Sequence, residues 1–418
     1  MSKKIVVLTL LISVFILLWG CGVPAEVVAR RPASDEAVSK ATVPVVDEVT
    51  YEATYEEEVD ALTEELPYFI GAFEKFFYHQ LDEEERVIYR ALRDGVWRGD
   101  EEIQLETDDI EKIHRLYRWV LFDYPEFFWV TGAGRTTVSR WSDGRVYASF
   151  EPEFGHTAEA RITMQAEIDA AVDAFLTSVE PGLSEYELVR VVYEYLIRTT
   201  VYDLDAPDHQ NIYSVFVNRE SVCAGISKAA QLLLERLGIF ATYVVGDAYV
   251  PGTSTEPIAH AWNLVRIYGV YYHLDVTWGS PGFLEGSTLA DRIDVVYDYL
   301  LLNDELIFRT HTLDEGITLP PATSLAHNFF VMKGMFYETH EPERALDAMN
   351  TSILNGDDWI AFKFSTPELF ESMRTAILED LAPQAARNLA EWYDLESVRY
   401  YFLYKENLNK ITIYWVYG

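Results

Sequence analysis

Cysteine is scarce in this chain: Cys21 and Cys223 are the only two in 418 residues. Two thiols cannot build a disulfide framework or a four-cysteine zinc site. Positive charge is also short, with 33 Lys and Arg against 68 Asp and Glu and a formal net charge of −35. A nucleic-acid partner requires a basic surface to replace counterions, so that class is excluded. The same charge disfavours adsorption on anionic lipid and favours solubility. The nine histidines contain no His-Glu-x-x-His pattern. Asp203-x-Asp205-x-Pro207-Asp208 has Pro207 where a calcium loop needs a ligand and lacks the spaced glycine. Gly132-Ala133-Gly134 lacks the third glycine of a nucleotide fingerprint. No cofactor and no metal are therefore expected, and no internal repeat is visible. What is plentiful is apolar material, 49% hydrophobic and 14% aromatic, enough for large cores. At ~150 residues per domain, the length implies two or three domains.

The N-terminus reads as an export signal. Lys3 and Lys4 precede an apolar stretch from Ile5 to Leu18, which is shorter than the ~20 residues of a membrane span. No later stretch approaches that length. Leu18-Trp19-Gly20-Cys21 resembles a bacterial lipobox, with Trp19 departing from the usual small residue. Residues 1–20 are thus expected to be a lipoprotein signal peptide and Cys21 to carry lipid. Residues 21–58, rich in Ala, Val, Pro, Ser and acids, would form a flexible tether on the extracytoplasmic face of a bacterial membrane. With Cys21 acylated, Cys223 becomes the sole free thiol.

From about Val59 the pattern is helical, with Phe69, Phe73, Phe76 and Phe77 on one stripe. Further helices are expected from Asp82 and over Asp109 to Phe122. Trp129-Val130 and Thr136 to Phe150 read as strands, turning near Ser142-Asp143-Gly144. Residues 59–155 thus make an N-terminal α+β region. Ala158 to Val179 and Ser184 to Thr200 are amphipathic helices separated by Pro181-Gly182. Beyond Pro320-Pro321 the chain resumes with Leu325 to Tyr337. A strand is then expected over Trp359 to Phe364, helices over Pro367 to Glu379 and Pro383 to Tyr393, and strands over Val398 to Tyr404 and Ile411 to Val416. This β-α-α-β-β order makes residues 321–418 an α/β appendage to a core spanning 156–320.

The chemistry lies in that core. Cys223 opens a helix whose apolar stripe is Ile226, Ala229, Ala230, Leu233, Leu234 and Leu237, stopped by Gly238. At a helix start the unpaired N–H groups and the dipole favour a thiolate and can hold an oxyanion. By itself a cysteine is more often a small buried hydrophobe. Downstream, Ala259 to Ile267 and Val270 to Thr277 read as a hairpin with Tyr268-Gly269 at its tip, so that paired residue numbers sum to 537. Trp262 then faces Asp275, and His260 faces Thr277. Ala261, Val265, Ile267, Val270, Tyr272, Leu274 and Val276 form the core face, on which Asn263 is the exception. The opposite face carries His260, Trp262, Leu264, Arg266, Tyr271, His273, Asp275 and Thr277, and His273 is expected to be exposed. His260 and Asp275 would be diagonal neighbours ~7–8 Å apart at the backbone, within side-chain reach. A carboxylate beside an imidazole fixes its tautomer, and a distant Cys, His and Asp supply nucleophile, base and orienter.

The run Val222-Cys223-x-Gly225-x-Ser227-Lys228-Ala229, then Gly238-Ile239, His260-Ala261-Trp262-Asn263 and Tyr272-His273-x-Asp275-Val276-Thr277-Trp278 resembles the bacterial transglutaminase-like superfamily, of the surface lipoprotein type. The departure is Ala224, where a polar residue is frequent. The resemblance implies an α+β papain-like core, a cysteine-bearing helix packed on an antiparallel sheet, with α/β additions on either side. It implies Cys223, His260 and Asp275 as the triad, Trp262, Thr277 and Trp278 near it, and an upstream oxyanion donor. Gln210 is the candidate donor, and equally an ordinary loop glutamine. The implied reaction is acyl transfer through a cysteine thioester on a protein or peptide of the cell envelope. Water as acceptor gives hydrolysis and an amine gives transamidation; the sequence selects neither. The rival is a non-catalytic wall- or protein-binding module that keeps the triad by descent. The anchor has its own test: fatty-acid labelling is expected in the wild type and absent in Cys21→Ser, and equal labelling would contradict it.

Overall fold

The structure, a computed structural model, describes residues 75–140, 146–249, 256–281, 295–394 and 399–416. The export signal, Cys21, the tether, Phe69 and Phe73 of the first Phe stripe and the Ser142-Asp143-Gly144 turn lie outside the described residues. None of the described helices is long and apolar enough to cross a membrane. The described chain divides after Met332 into two compact units.

In the first unit, α1 (Phe76–His79) precedes α2 (Glu83–Arg98), whose start is fixed by a capping box between Asp82 and Glu85. After β1 (Ile103–Leu105), α3 (Ile110–Asp123) is capped by the Asp109 carboxylate, which accepts from the Lys112 N–H. β2 (Val130–Arg140) and β3 (Val146–Phe154) complete an antiparallel sheet of order β1-β3-β2. These elements form as expected, yet they do not stand apart from the core. The Phe122 ring lies 5.1 Å from that of Tyr243, and Lys75 pairs with Glu235 at 2.9 Å.

α4 (Ala158–Ser178) and α5 (Glu185–Thr199) follow, joined through Gly182 at φ +85°. The short strands β4 (Val201–Tyr202) and β5 (Glu220–Ser221) pair in parallel and lead into α6 (Cys223–Arg236), as read from its apolar stripe. The central sheet then forms from β6 (Phe240–Ala248), β7 (Ile258–Ile267), β8 (Val270–Leu274), β9 (Leu300–Leu302) and, after the single turn α7 (Asp304–Ile307), β10 (His311–Leu313). Its order is β10-β6-β7-β8-β9, antiparallel throughout. The β7–β8 register runs from Ile267↔Val270 to Asn263↔Leu274, as the hairpin reading requires, with positive φ at both tip residues.

Two expectations need correction. His273, expected at the surface, is fully buried on the far face of the hairpin together with Trp262 and Leu264. Val244, Trp262 and Leu264 pack against Ala322, with Leu313 and Leu319 over them, so the chain from β10 onward covers that face. For the same reason the unit does not stop at residue 320. Asn328 donates to the carbonyls of Leu300 and Leu301, Phe329 stacks on Tyr297 at 3.9 Å, and α8 (Phe329–Met332) ends the unit.

The second unit comprises β11 (Phe336–Tyr337), α9 (Pro342–Asn355), β12 (Trp359–Phe364), α10 (Pro367–Ala376), α11 (Ala382–Trp392), β13 (Arg399–Lys405) and β14 (Lys410–Val416). Its sheet order is β11-β12-β14-β13, and its core joins Met349, Ile353, Phe362, Phe370, Leu389, Ile411 and Ile413. The expected β-α-α-β-β series is present; β11 and α9 are additional.

The edge pairing of β10 with β6 depends on one small residue. A Cβ on Gly246 would lie 1.8 Å from the Thr312 carbonyl oxygen. Gly246→Ala should push β10 away and cost about 1–3 kcal/mol, seen as a lower melting temperature. An unchanged melting temperature would contradict this pairing.

Candidate active site

Cys223 is the first residue of α6, after Val222 in extended conformation. The loop before it closes tightly over the helix start. A Cβ on Gly225 would meet Ser221 Oγ at 2.2 Å and the carbonyls of His209 and Asn211 at 2.8 and 2.9 Å, so only glycine fits. Ser221 Oγ donates to the His209 carbonyl, and Lys228 Nζ donates to that of Gln210. Gln210 thus sits on an exposed loop drawn against the first turn. Two bonds then set the height of α6 on the sheet. Ser227 Oγ donates to the Ala261 carbonyl at 3.0 Å, and Asn263 Nδ2 donates to the Ser227 carbonyl at 2.9 Å. Asn263, the polar exception on the core face, is the clasp between helix and sheet. Cys223, one turn before Ser227, packs on Tyr243 and Ala261, beside His260.

His260 Nε2 lies 2.9 Å from Asp275 Oδ2, leaving Nδ1 for the hydrogen bond that the ring makes with Cys223. Burial pulls the His260 pKa down, but the charge and hydrogen bond of Asp275 and the hydrogen bond and charge of Cys223 outweigh it, raising the value to about 10. Burial pushes the Asp275 carboxyl upward, and the His260 charge and the two histidine hydrogen bonds hold it far below the usual carboxylate range. The chain leaves the β8 ladder after Leu274. The Asp275 N–H donates to the Tyr299 carbonyl, and Asp275 Oδ1 accepts from the Trp278 N–H at 3.1 Å. The expected pairing of His260 with Thr277 therefore gives way to a direct side-chain bond between His260 and Asp275. The His260 ring lies 6.3 Å from that of Trp262, nearly parallel, and 5.3 Å from that of Trp278. Thr277 is buried and lines a small cleft with Tyr202, Ile226 and Val276.

Three features escaped the sequence reading. Tyr202 hydrogen-bonds Cys223; burial, then the Cys223 and Asp275 charges, raise its pKa. His273 is buried, accepting from Trp262 Nε1 at 3.1 Å through Nδ1 and bonding Asp304 through Nε2 at 2.9 Å. His311 reaches Asp275 Oδ2 with Nε2 at 3.2 Å. No local pattern marks His311, because only the β10–β6 pairing brings it to the site. Among the described residues, His260, Asp275 and His311 are the one trio whose donor atoms gather within 4.8 Å. The hydrogen bonds above already engage each of these atoms.

Residues 173–276 match the family model of the transglutaminase-like superfamily, and that span contains Cys223, His260 and Asp275. These residues form a transglutaminase-like domain. No curated protein matches the chain. Among solved structures, a TGase is similar at 16% identity over 38% of this chain and 53% of its own, with a TM-score of 0.25. A protein provisionally assigned as a cysteine protease, from Cytophaga hutchinsonii, is similar at 16% identity over 38% of this chain and 65% of its own, with a TM-score of 0.23. The chain thus spans about half to two thirds of those proteins. The geometry of the transglutaminase-like domain centres on the bonds of His260 and Asp275.

That geometry makes stability depend on pH. An unfolded histidine titrates near ~6.5 and an unfolded aspartate near ~3.9. The raised His260 contributes stability in full below ~6.5, and this is lost as pH rises through about 10. The depressed Asp275 contributes above ~3.9, and this is lost as pH falls through its lowered value. Urea midpoints at pH 7 and pH 10 should therefore show a smaller alkaline loss in Asp275→Asn than in the wild type. Equal losses would contradict the pairing.

Proposed function

We propose that this chain is a thiol acyl-transfer enzyme of the cell envelope, held at the extracytoplasmic face by lipid on Cys21. The observation that carries the chemistry is a single buried imidazole bonded to Cys223 on one side and Asp275 on the other. Cys223 Sγ gives its proton to His260 Nδ1 and attacks the carbonyl carbon of a protein or peptide amide. Electrons move onto the carbonyl oxygen, which the first N–H groups of α6 receive, with the Gln210 amide as the side-chain candidate beside them. Collapse breaks the C–N bond, His260 returns its proton to the leaving amine, and a thioester remains on Cys223. Water or a second amine then attacks that thioester, losing its proton to His260; the C–S bond breaks, the acyl product leaves, and Cys223 Sγ is restored beside the protonated ring. Asp275 keeps the ring oriented throughout and stabilises it whenever it carries the proton.

The domain match supports a cysteine-type reaction, and the acceptor is left to the substrate bound. Iodoacetamide should modify Cys223 rapidly near neutral pH. His260→Ala, checked for folding by circular dichroism, should slow this at least about tenfold. Cys223→Ala should abolish labelling and acyl transfer together. Equal labelling rates in wild type and folded His260→Ala would overturn the reading in favour of a binding module.

A further inference from the structure

The carboxylate of Asp275 is fully buried and receives more than the catalytic pair alone would supply. Oδ1 accepts from the Trp278 backbone N–H at 3.1 Å, and Oδ2 meets His260 Nε2 at 2.9 Å and His311 Nε2 at 3.2 Å. The proton positions follow from the neighbours. His311 Nε2 faces a carboxylate oxygen, which can only accept, so it carries a proton. His311 Nδ1 lies 2.9 Å from Thr310 Oγ1, a hydroxyl able to donate to it. The Ile307 carbonyl, at 3.3 Å, is the other acceptor within reach of that hydroxyl, and Tyr299 also hydrogen-bonds Thr310; the shorter contact is the one to His311 Nδ1. A neutral His311, protonated at Nε2 and accepting at Nδ1, satisfies both of its ring contacts.

Neutrality suits the surroundings. The His311 ring is 1% exposed and is enclosed by Trp278 at 4.7 Å, Trp262 at 5.0 Å, His260 at 5.3 Å and Tyr299 at 6.0 Å. The ionisable groups facing it are Asp275, His260, His273 and Tyr299. Burial keeps it from charging, and the nearby His260 charge acts in the same direction. A second imidazolium here would compete with His260 for the one carboxylate. A neutral N–H donor instead pins Oδ2 without altering the charge of the pair.

We propose that His311 is a positioning residue of the acyl-transfer site, holding Asp275 Oδ2 against His260 through its Nε2–H. The inference rests on the triad reading above, and its test separates the two. Full-length wild type, His311→Leu, His311→Gln and Thr310→Val are compared by iodoacetamide rate against pH and by the NMR titration of the His260 ring, with folding checked by circular dichroism. His311→Leu, which removes the donor, should slow labelling at pH 7 roughly tenfold and lower the pH at which His260 titrates. His311→Gln, whose amide keeps an N–H, should recover most of both. Thr310→Val should move His260 in the same direction as His311→Leu, and serves if that variant does not fold. Folded variants with wild-type labelling and titration would overturn the proposal, as would equal defects in His311→Leu and His311→Gln. Loss of labelling on treating wild type with EDTA would also overturn it, assigning the three side chains to a bound cation. Labelling independent of His260 would instead remove the triad reading, while the His260 titration would still report whether His311 acts on the pair.

Discussion

A carboxylate with no access to water must find its hydrogen bonds inside the protein, and Asp275 imposes that demand on everything around it. Its partners come from three places in the chain: His260 near the start of β7, the Trp278 backbone in the turn after β8, and His311 on the edge strand β10. Removing one partner of a buried ion pair costs about 3–5 kcal/mol, because the other is left uncompensated. The sheet must therefore be built out to its last strand before the pair is satisfied. This explains why β10 packs so closely on Gly246 and why the segment after it seals the face bearing Trp262 and Leu264.

The same demand links the pair to the thiol. With Nε2 committed to Asp275, only Nδ1 of His260 is left to face Cys223. The height of α6 on the sheet is set independently by Ser227 and Asn263, so the Cys223 thiol meets an imidazole already oriented. The loop at Gln210 is fixed to the same helix by the close approach at Gly225 and by Lys228.

Much of this was legible in the sequence wherever the signal is local. The apolar stripe after Cys223, the Tyr268-Gly269 tip and the Asp82, Asp109 and Ser184 caps each encode their element within a few residues, and the hairpin register follows by counting. The failures are non-local. Alternation along β7 and β8 cannot tell a face covered by a later segment from one facing solvent, so His273 was expected outside. His311 carries no period or motif, and its role exists only through pairing across some sixty residues with β6. Helix α9 is different: its buried Ala345, Met349 and Ile353 are spaced for a helix and were open to reading. The Pro320-Pro321 pair suggested a boundary, yet Asn328 and Phe329 return to the core beyond it.

The account stands on Cys223 acting as an acyl carrier. Intact-protein mass spectrometry after incubation with an activated acyl ester tests this most directly. The account predicts one acyl group mapped to Cys223, formed in the wild type, discharged by water or an added amine, and discharged far more slowly in folded His260→Ala. A folded wild type that gains no acyl group on Cys223, or one whose adduct is as long-lived as that of His260→Ala, would contradict it.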